Sequence, residues 1–306
     1  MPKDREQILE ELTPSSDFMF SYILSDKSMS PSILSLVNAT RANMNEDPFS
    51  DIIDVTSQAR LFGKTPVSKY SVLDIVATAQ DGTLVDIEMQ VRKDDYMEKR
   101  LEYYSARLVS KLGSGEDYHK LPGTCMIVIE GLKTDSNSDG RFHHAYDLRS
   151  KTPPHEPMPN GWIDIHRLSL TTFLENEKSI FDPNNKLHWW LGYLSGGHKN
   201  SEFVKEAGNM DSGILKFAEK YNYSLSDPET FEIYEFIKQG EMEHKSAVYS
   251  AEKAGRYDVF RSMYLDKMPQ HVIDMAAKSA KVSKEELEQI RKSIQTTKTS
   301  PAMPPM

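Results

Sequence analysis

Residues 71–91, SVLDIVATAQDGTLVDIEMQV, restrict the fold more than any other stretch of the chain. Two runs rich in Val, Ile and Leu flank Asp81-Gly82, and an Asp-Gly pair between such runs marks a β-hairpin. In the second run Val85, Ile87, Met89 and Val91 fall on one face, and Asp86, Glu88 and Gln90 on the other, because strand side chains alternate. The pattern therefore predicts an apolar face and an outward face that gathers carboxylates.

The turn sets the register. A two-residue reversal at Asp81-Gly82 would put Asp74 opposite Met89, on the apolar face. A three-residue loop, Gln80-Asp81-Gly82, with Gly82 left-handed in a bulge, pairs Ala79 with Thr83 and brings Asp74 opposite Glu88. Opposed Cβ atoms lie about 4.5–5.5 Å apart, and like charges at that separation repel. Two such carboxylates need a compensating charge. A divalent cation is one solution, since Mg²⁺ is held by one or two carboxylates, waters and phosphate oxygens. A nearby Lys or Arg on a solvated sheet face is the other.

Several segments in order carry a resemblance: SSDFMFSYILSD at 15–26, LSLVNA at 34–39, VLDIVATAQDGTLVDIEMQ at 72–90 and KRLEYYSARLVSKLGSGEDYHKLPGTCMIVI at 99–129. Together they resemble the Rpn family of recombination-promoting nucleases and transposases, within the PD-(D/E)XK nuclease superfamily. The likeness covers roughly the first half of the chain, with weaker similarity to about Leu174. It departs from the family at two points: Gln90 stands where the superfamily usually has Lys, and Ser21 follows Phe20 where the family usually has Lys.

The resemblance implies an α/β fold: a restriction-endonuclease-like PD-(D/E)XK core with a mixed sheet in the order αβββαβ, and a C-terminal helical appendage. It implies a metal-dependent DNA endonuclease related to transposases, with Mg²⁺ as cofactor and Mn²⁺ able to replace it. Asp74 and Glu88 would be the metal carboxylates, and the Met89 carbonyl would complete the shell. Gln90 would orient the water. Asp17 on the first helix is a further carboxylate of this kind, with a plain helix N-cap as its simpler role; Asp86 shares the face of Glu88 one pleat away. Arg100 and Tyr104, on the helix after the hairpin, would reach the scissile phosphate, or else pair with a Glu and pack in the core. The alternative function is a non-catalytic DNA-binding or assembly protein that retains the nuclease fold.

Composition bounds these expectations. The 306 residues carry a net charge of −9, so overall charge draws no nucleic acid and DNA contact must rest on local basic flanks. The one cysteine, Cys125, lies in an apolar run and reads as a buried strand residue without a disulfide. No apolar run approaches about 18 residues and the N-terminus has no signal core, so a cytoplasmic protein with no membrane contact is expected. His143-His144 project to opposite faces of a strand and do not chelate one ion, and His119, His166 and His188 stand singly.

Three regions follow: 1–200 as the nuclease-like domain, 201–295 as helical, and 296–306 as a disordered Pro- and Thr-rich tail. Charge-rich helical sequence runs over 227–265, with Gly240 and Gly255 as possible hinges. Ser283 with Glu286 fits a capping box. The helical region reads as a self-association element giving a homo-oligomer, or as a small helix-turn-helix.

Overall fold

The computed structural model describes residues 5–57, 75–91, 96–109, 117, 119, 121–131, 139–158 and 163–297. The segments read from sequence as a turn at 63–66 and as the tail beyond 297 lie outside them, and so does Asp74.

The chain opens with three helices, α1 (Arg5–Glu11), α2 (Asp17–Leu24) and α3 (Ser30–Ala42). The hairpin region supplies β1 (Ile52–Ser57), β2 (Ile75–Ala79) and β3 (Leu84–Gln90). Helix α4 (Met97–Val109) then crosses to β4 (Thr124–Glu130), followed by β5 (His143–Asp147) and β6 (Ile163–Ser169). The six strands form one mixed sheet in the order β1-β2-β3-β4-β6-β5. Pairing is antiparallel from β1 to β3, parallel from β3 through β4 to β6, and antiparallel between β6 and β5. Parallel neighbours cannot be joined by a tight turn, so α4 serves as the crossover between β3 and β4.

The hairpin has the register of the three-residue loop. Gly82 takes φ 86°, its N–H donates to the Ala79 carbonyl, and the Ala79 N–H donates to the Thr83 carbonyl, both at 2.9 Å. The Asp81 carboxylate accepts from the Thr83 N–H and tightens the reversal. Thr78 then faces Leu84, Val76 faces Asp86 and Ile75 faces Ile87.

The expected outward face is not solvated. Leu84, Asp86 and Glu88 share a face with Val76, Met126 and Val128, and α4 covers it through Met97, Leu101 and Leu108. Asp86 and Glu88 are consequently buried. The opposite face presents Ile87, Met89, Cys125, Ile127 and Ile129, all buried, and Arg41 of α3 reaches Asp164 on this side. Burial in these apolar surroundings pushes the Cys125 thiol up to about 12, consistent with an inert packing residue.

After β6 come α5 (Leu170–Ile180), α6 (Lys186–Leu194), α7 (Ser201–Met210) and α8 (Ser212–Ser226). Trp189 and Trp190 lie on α6 and are buried. The sequence boundary at residue 200 does not coincide with a break in packing. The α8 residues Phe217 and Tyr221 join Phe20 and the Leu12 carbonyl, and the Ser32 hydroxyl donates to the Gly213 carbonyl at 2.8 Å. A Cβ on Gly213 would lie 2.4 Å from that of Ser35, so glycine permits the close approach of α8 to α3.

The chain divides into two compact units, Met1–Tyr234 and Glu235–Met306. Helix α9 (Pro228–Leu265) runs without interruption through Gly240 and Gly255, which act as ordinary helical positions. The second unit adds α10 (Gln270–Ser279) and α11 (Lys284–Thr297). Its core is Phe260, Ile273, Ala277, Leu287 and Ile290. Ser283 and Glu286 form the reciprocal capping box read from sequence: the hydroxyl accepts from the Glu286 N–H at 3.1 Å, and the carboxylate from the Ser283 N–H at 2.9 Å.

Candidate functional site

The site builds outward from β3. Alternation places Asp86, Glu88 and Gln90 on the α4 side, while the Met89 side chain is buried on the other. Glu88 is 2% exposed, and its Oε1 accepts from Arg100 Nη2 at 2.6 Å. A buried carboxylate needs a counter-charge, and Arg100, itself partly exposed, supplies one to Glu88. Of the two roles expected for Arg100, the observed one is pairing with a Glu. Its guanidinium also sits over the Tyr104 ring, 5.4 Å from the centroid. Tyr104 is half-buried against the apolar cluster beneath α4.

Asp17 is not the N-cap of its helix. Ser16 fills that position, accepting from the Met19 N–H at 3.2 Å. Asp17, in the first helical turn, instead accepts from the Val91 N–H at 3.2 Å, just beyond Gln90 at the end of β3. The Gln90 carbonyl accepts from the Gly131 N–H. Asp86 sits opposite Val76 and beside Met126, toward the start of the strand.

A second charged pair lies on the same sheet face and was not read from the sequence. Glu130 ends β4 in register with Gln90, and its Oε1 accepts from Arg167 Nη2 of β6 at 2.6 Å. Arg167 Nη1 also lies 3.4 Å from Glu98 of α4. Both members of the Glu130–Arg167 pair are buried, and burial pushes the Glu130 carboxyl above its ordinary range despite the arginine. The sequence held a signal for it: Glu at the end of an apolar strand and Arg inside another are expensive unless paired.

Helix α4 thus spans β4 with two opposed links, Arg100 to Glu88 on β3 and Glu98 to Arg167 on β6.

The histidines form a group of their own on the other face. His143 Nε2 lies 3.1 Å from His166 Nδ1, and His143 Nδ1 lies 2.9 Å from the Asn43 amide nitrogen. His166 Nε2 lies 3.4 Å from Glu46. With the Asn43 amide donating to His143 Nδ1, His143 donates from Nε2 to His166 Nδ1. Burial holds His143 down at about 3. Two histidines that stand apart in sequence are joined because β5 pairs with β6. His144, on the opposite face, turns toward Asp139.

The donors around the end of β3 are hard oxygens, the kind that suit Mg²⁺ or Mn²⁺. Among the described residues no group of three or more His, Cys, Asp or Glu side chains is placed to hold a metal ion. Three are not required, because Mg²⁺ usually keeps several waters and takes only one or two carboxylates. No helix among the described residues is long and apolar enough to cross a membrane.

A family model described as PD-(D/E)XK nuclease family transposase matches residues 14–251, more than three quarters of the chain. No curated protein and no solved structure gives a significant match. The matched span includes the hairpin with its buried acidic face, the crossover helix and the strands beside them, in agreement with the resemblance read from the sequence. The chain belongs to the PD-(D/E)XK nuclease family transposases.

Proposed function

We propose that this protein is a divalent-metal-dependent DNA endonuclease, with Asp74 and Glu88 as its metal carboxylates. The hairpin register carries this reading. Ile75 faces Ile87, which agrees with the three-residue loop on which the sequence reading expects Asp74 to stand opposite Glu88.

Mg²⁺ or Mn²⁺, held by Asp74, Glu88 and the Met89 carbonyl, would supply an acidified water and neutralise charge on the phosphate. The chain's own groups do the rest. Gln90 orients the attacking water through its amide. Arg100 fixes one oxygen of Glu88 and, at the edge of the site, offers N–H donors to an incoming phosphate. It also contributes the positive charge that Gln90 lacks in place of a lysine. Asp17 is an accessory carboxylate whose position is tied to the end of β3 through Val91. Asp86, deeper along the strand, shapes the floor.

Nicking of supercoiled plasmid by the full-length protein with Mg²⁺ or Mn²⁺ tests this reading. Metal-dependent nicking that stops in EDTA is expected. Purified protein inert with both metals would favour the non-catalytic DNA-binding or assembly role.

The second unit supports a proposal of self-association. Met242 and Tyr249 are exposed and, seven residues apart, lie on one side of α9. Exposed apolar groups in a row along a helix mark a contact surface. Light scattering is expected to give a particle of at least two chains, reduced to one by Met242→Glu with Tyr249→Glu. A monomeric wild-type protein would reject self-association.

A further inference from the structure

Helix α4 has two unlike flanks. At about 100° per residue, Tyr96, Arg100, Tyr103, Tyr104 and Arg107 fall within about 100° of arc on one side of the buried line of Met97, Leu101 and Leu108. Glu98 and Glu102 fall on the other side. The two ion pairs orient these flanks: Arg100 points to Glu88 and Glu98 points to Arg167. The aromatic and basic flank therefore borders Glu88, and the acidic one faces away toward β6.

On that flank Tyr96 is 66% exposed and Tyr103 62% exposed. Lys99 Nζ stands 5.8 Å from the Tyr96 ring centroid, and the Tyr103 and Tyr104 rings are 5.8 Å apart. Exposed tyrosines with cations alongside are the groups that hold a nucleic-acid strand by stacking its bases while neutralising its phosphates. They are also local, which is what a chain of net charge −9 requires.

We infer that this flank of α4 is a stacking platform for unpaired nucleotides, so that the substrate of the site is DNA with single-stranded character. The inference rests on the nuclease reading and specifies its substrate. Tyr96 and Tyr103 are seven residues apart, two helical turns or about 10.5 Å. Bases in a duplex are stacked about 3.4 Å apart along each strand and present only their edges, so rings at this spacing have no face to stack on. An extended single strand offers its base faces at wider intervals, and its phosphates can then follow Lys99, Arg100 and Arg107 toward Glu88.

Fluorescence anisotropy with full-length protein in EDTA separates binding from cleavage. The probes are a labelled oligothymidine of about 20 nucleotides, longer than a typical single-strand site, and a duplex of equal length. The single strand is expected to bind more tightly. Tyr96→Ala with Tyr103→Ala should weaken single-strand binding at least about tenfold, the scale of losing one or two stacked bases, and leave duplex binding unchanged. Tyr96→Phe with Tyr103→Phe should retain it. Both rings are exposed, and circular dichroism checks that the variants fold. An alanine pair that binds oligothymidine like the parent, or that loses both probes equally, overturns the platform. A changed particle mass in light scattering with unchanged DNA affinity would assign the flank to a second copy instead. Plasmid nicking in Mg²⁺ is scored separately: discrimination without nicking fails the nuclease reading alone, and nicking without discrimination fails this inference alone.

Discussion

Glu88 and Glu130 stand on adjacent strands of one sheet face, each 2.6 Å from an arginine, and the two arginines live in different surroundings. The Arg100 side chain is 27% exposed, whereas that of Arg167 is 4% exposed. Equal distances therefore accompany unequal freedom. Water or a phosphate can take over the hydrogen bonds of Arg100, so its pair with Glu88 can open when a ligand arrives. Arg167 has nowhere to turn, and it fastens β4, β6 and α4 together through Glu130 and Glu98. Under the proposed function the first pair suits chemistry, and the second suits architecture.

The widest separation between the two pairs is expected in cleavage. Glu88→Ala, like Asp74→Ala, should lower metal-dependent plasmid nicking by roughly 1000-fold or more, about 4 kcal/mol of barrier, while Glu130→Gln keeps measurable activity. Equal losses from Glu88→Ala and Glu130→Gln would erase the distinction. Stability should rank the pairs the other way. Arg167→Met strands a buried carboxylate and should cost about 3–5 kcal/mol. Arg100→Met, where solvent can reach the gap, should cost about 1–2 kcal/mol, near the value of a hydrogen bond to a charged group. Urea unfolding of the two variants measures both.

The opposite sheet face supplies a pH test that neither arginine should influence. His143 is held at about 3 in the folded chain, against an ordinary value of 6.5. Its folded value is depressed, so the unfolded chain takes up the proton first. The contribution is complete above about 6.5 and is lost as pH falls toward 3, a few kcal/mol in all. His143→Gln should flatten that slope in urea midpoints between pH 7 and 4, and an unaltered slope would remove His143 as its source. The smallest effect belongs to the turn. Gly82→Val forces a β-branched residue to φ 86° and should lower stability by about 1–2 kcal/mol. It should also reduce nicking through the register that aligns Glu88; unchanged stability and nicking would uncouple turn from site.

The hairpin register was legible because it depends on local chemistry: Asp81-Gly82 selects the loop, and alternation does the rest. The pairing of Arg100 with a Glu was legible as one of the two roles expected of it, because it follows the hairpin on an amphipathic helix. Glu130–Arg167 and His143–His166 were not legible, since each needs β6 to settle beside β4 or β5, a choice made by the tertiary fold. The depth of Asp86 and Glu88 was misjudged for the same reason: alternation separates two faces without saying which helix covers either. The helices after residue 200 left a readable trace, with Ile214, Phe217, Ala218 and Tyr221 at helical spacing. Their attachment to α3 depends on a glycine whose importance appears only when Ser35 comes against it.

That attachment has a consequence in time. Ser32 and the Gly213 carbonyl it binds are 181 residues apart in the chain. At about 5–20 residues per second, a ribosome needs roughly 10–35 s to make the intervening segment. Throughout that interval part of the apolar surface of the first helices stays uncovered, exposed to chaperones and to one another. Even the sheet, complete by Ser169, still leaves α3 without the cover that α8 provides. The nascent chain is therefore most vulnerable to aggregation late in its synthesis, until Ser226 has cleared the exit tunnel.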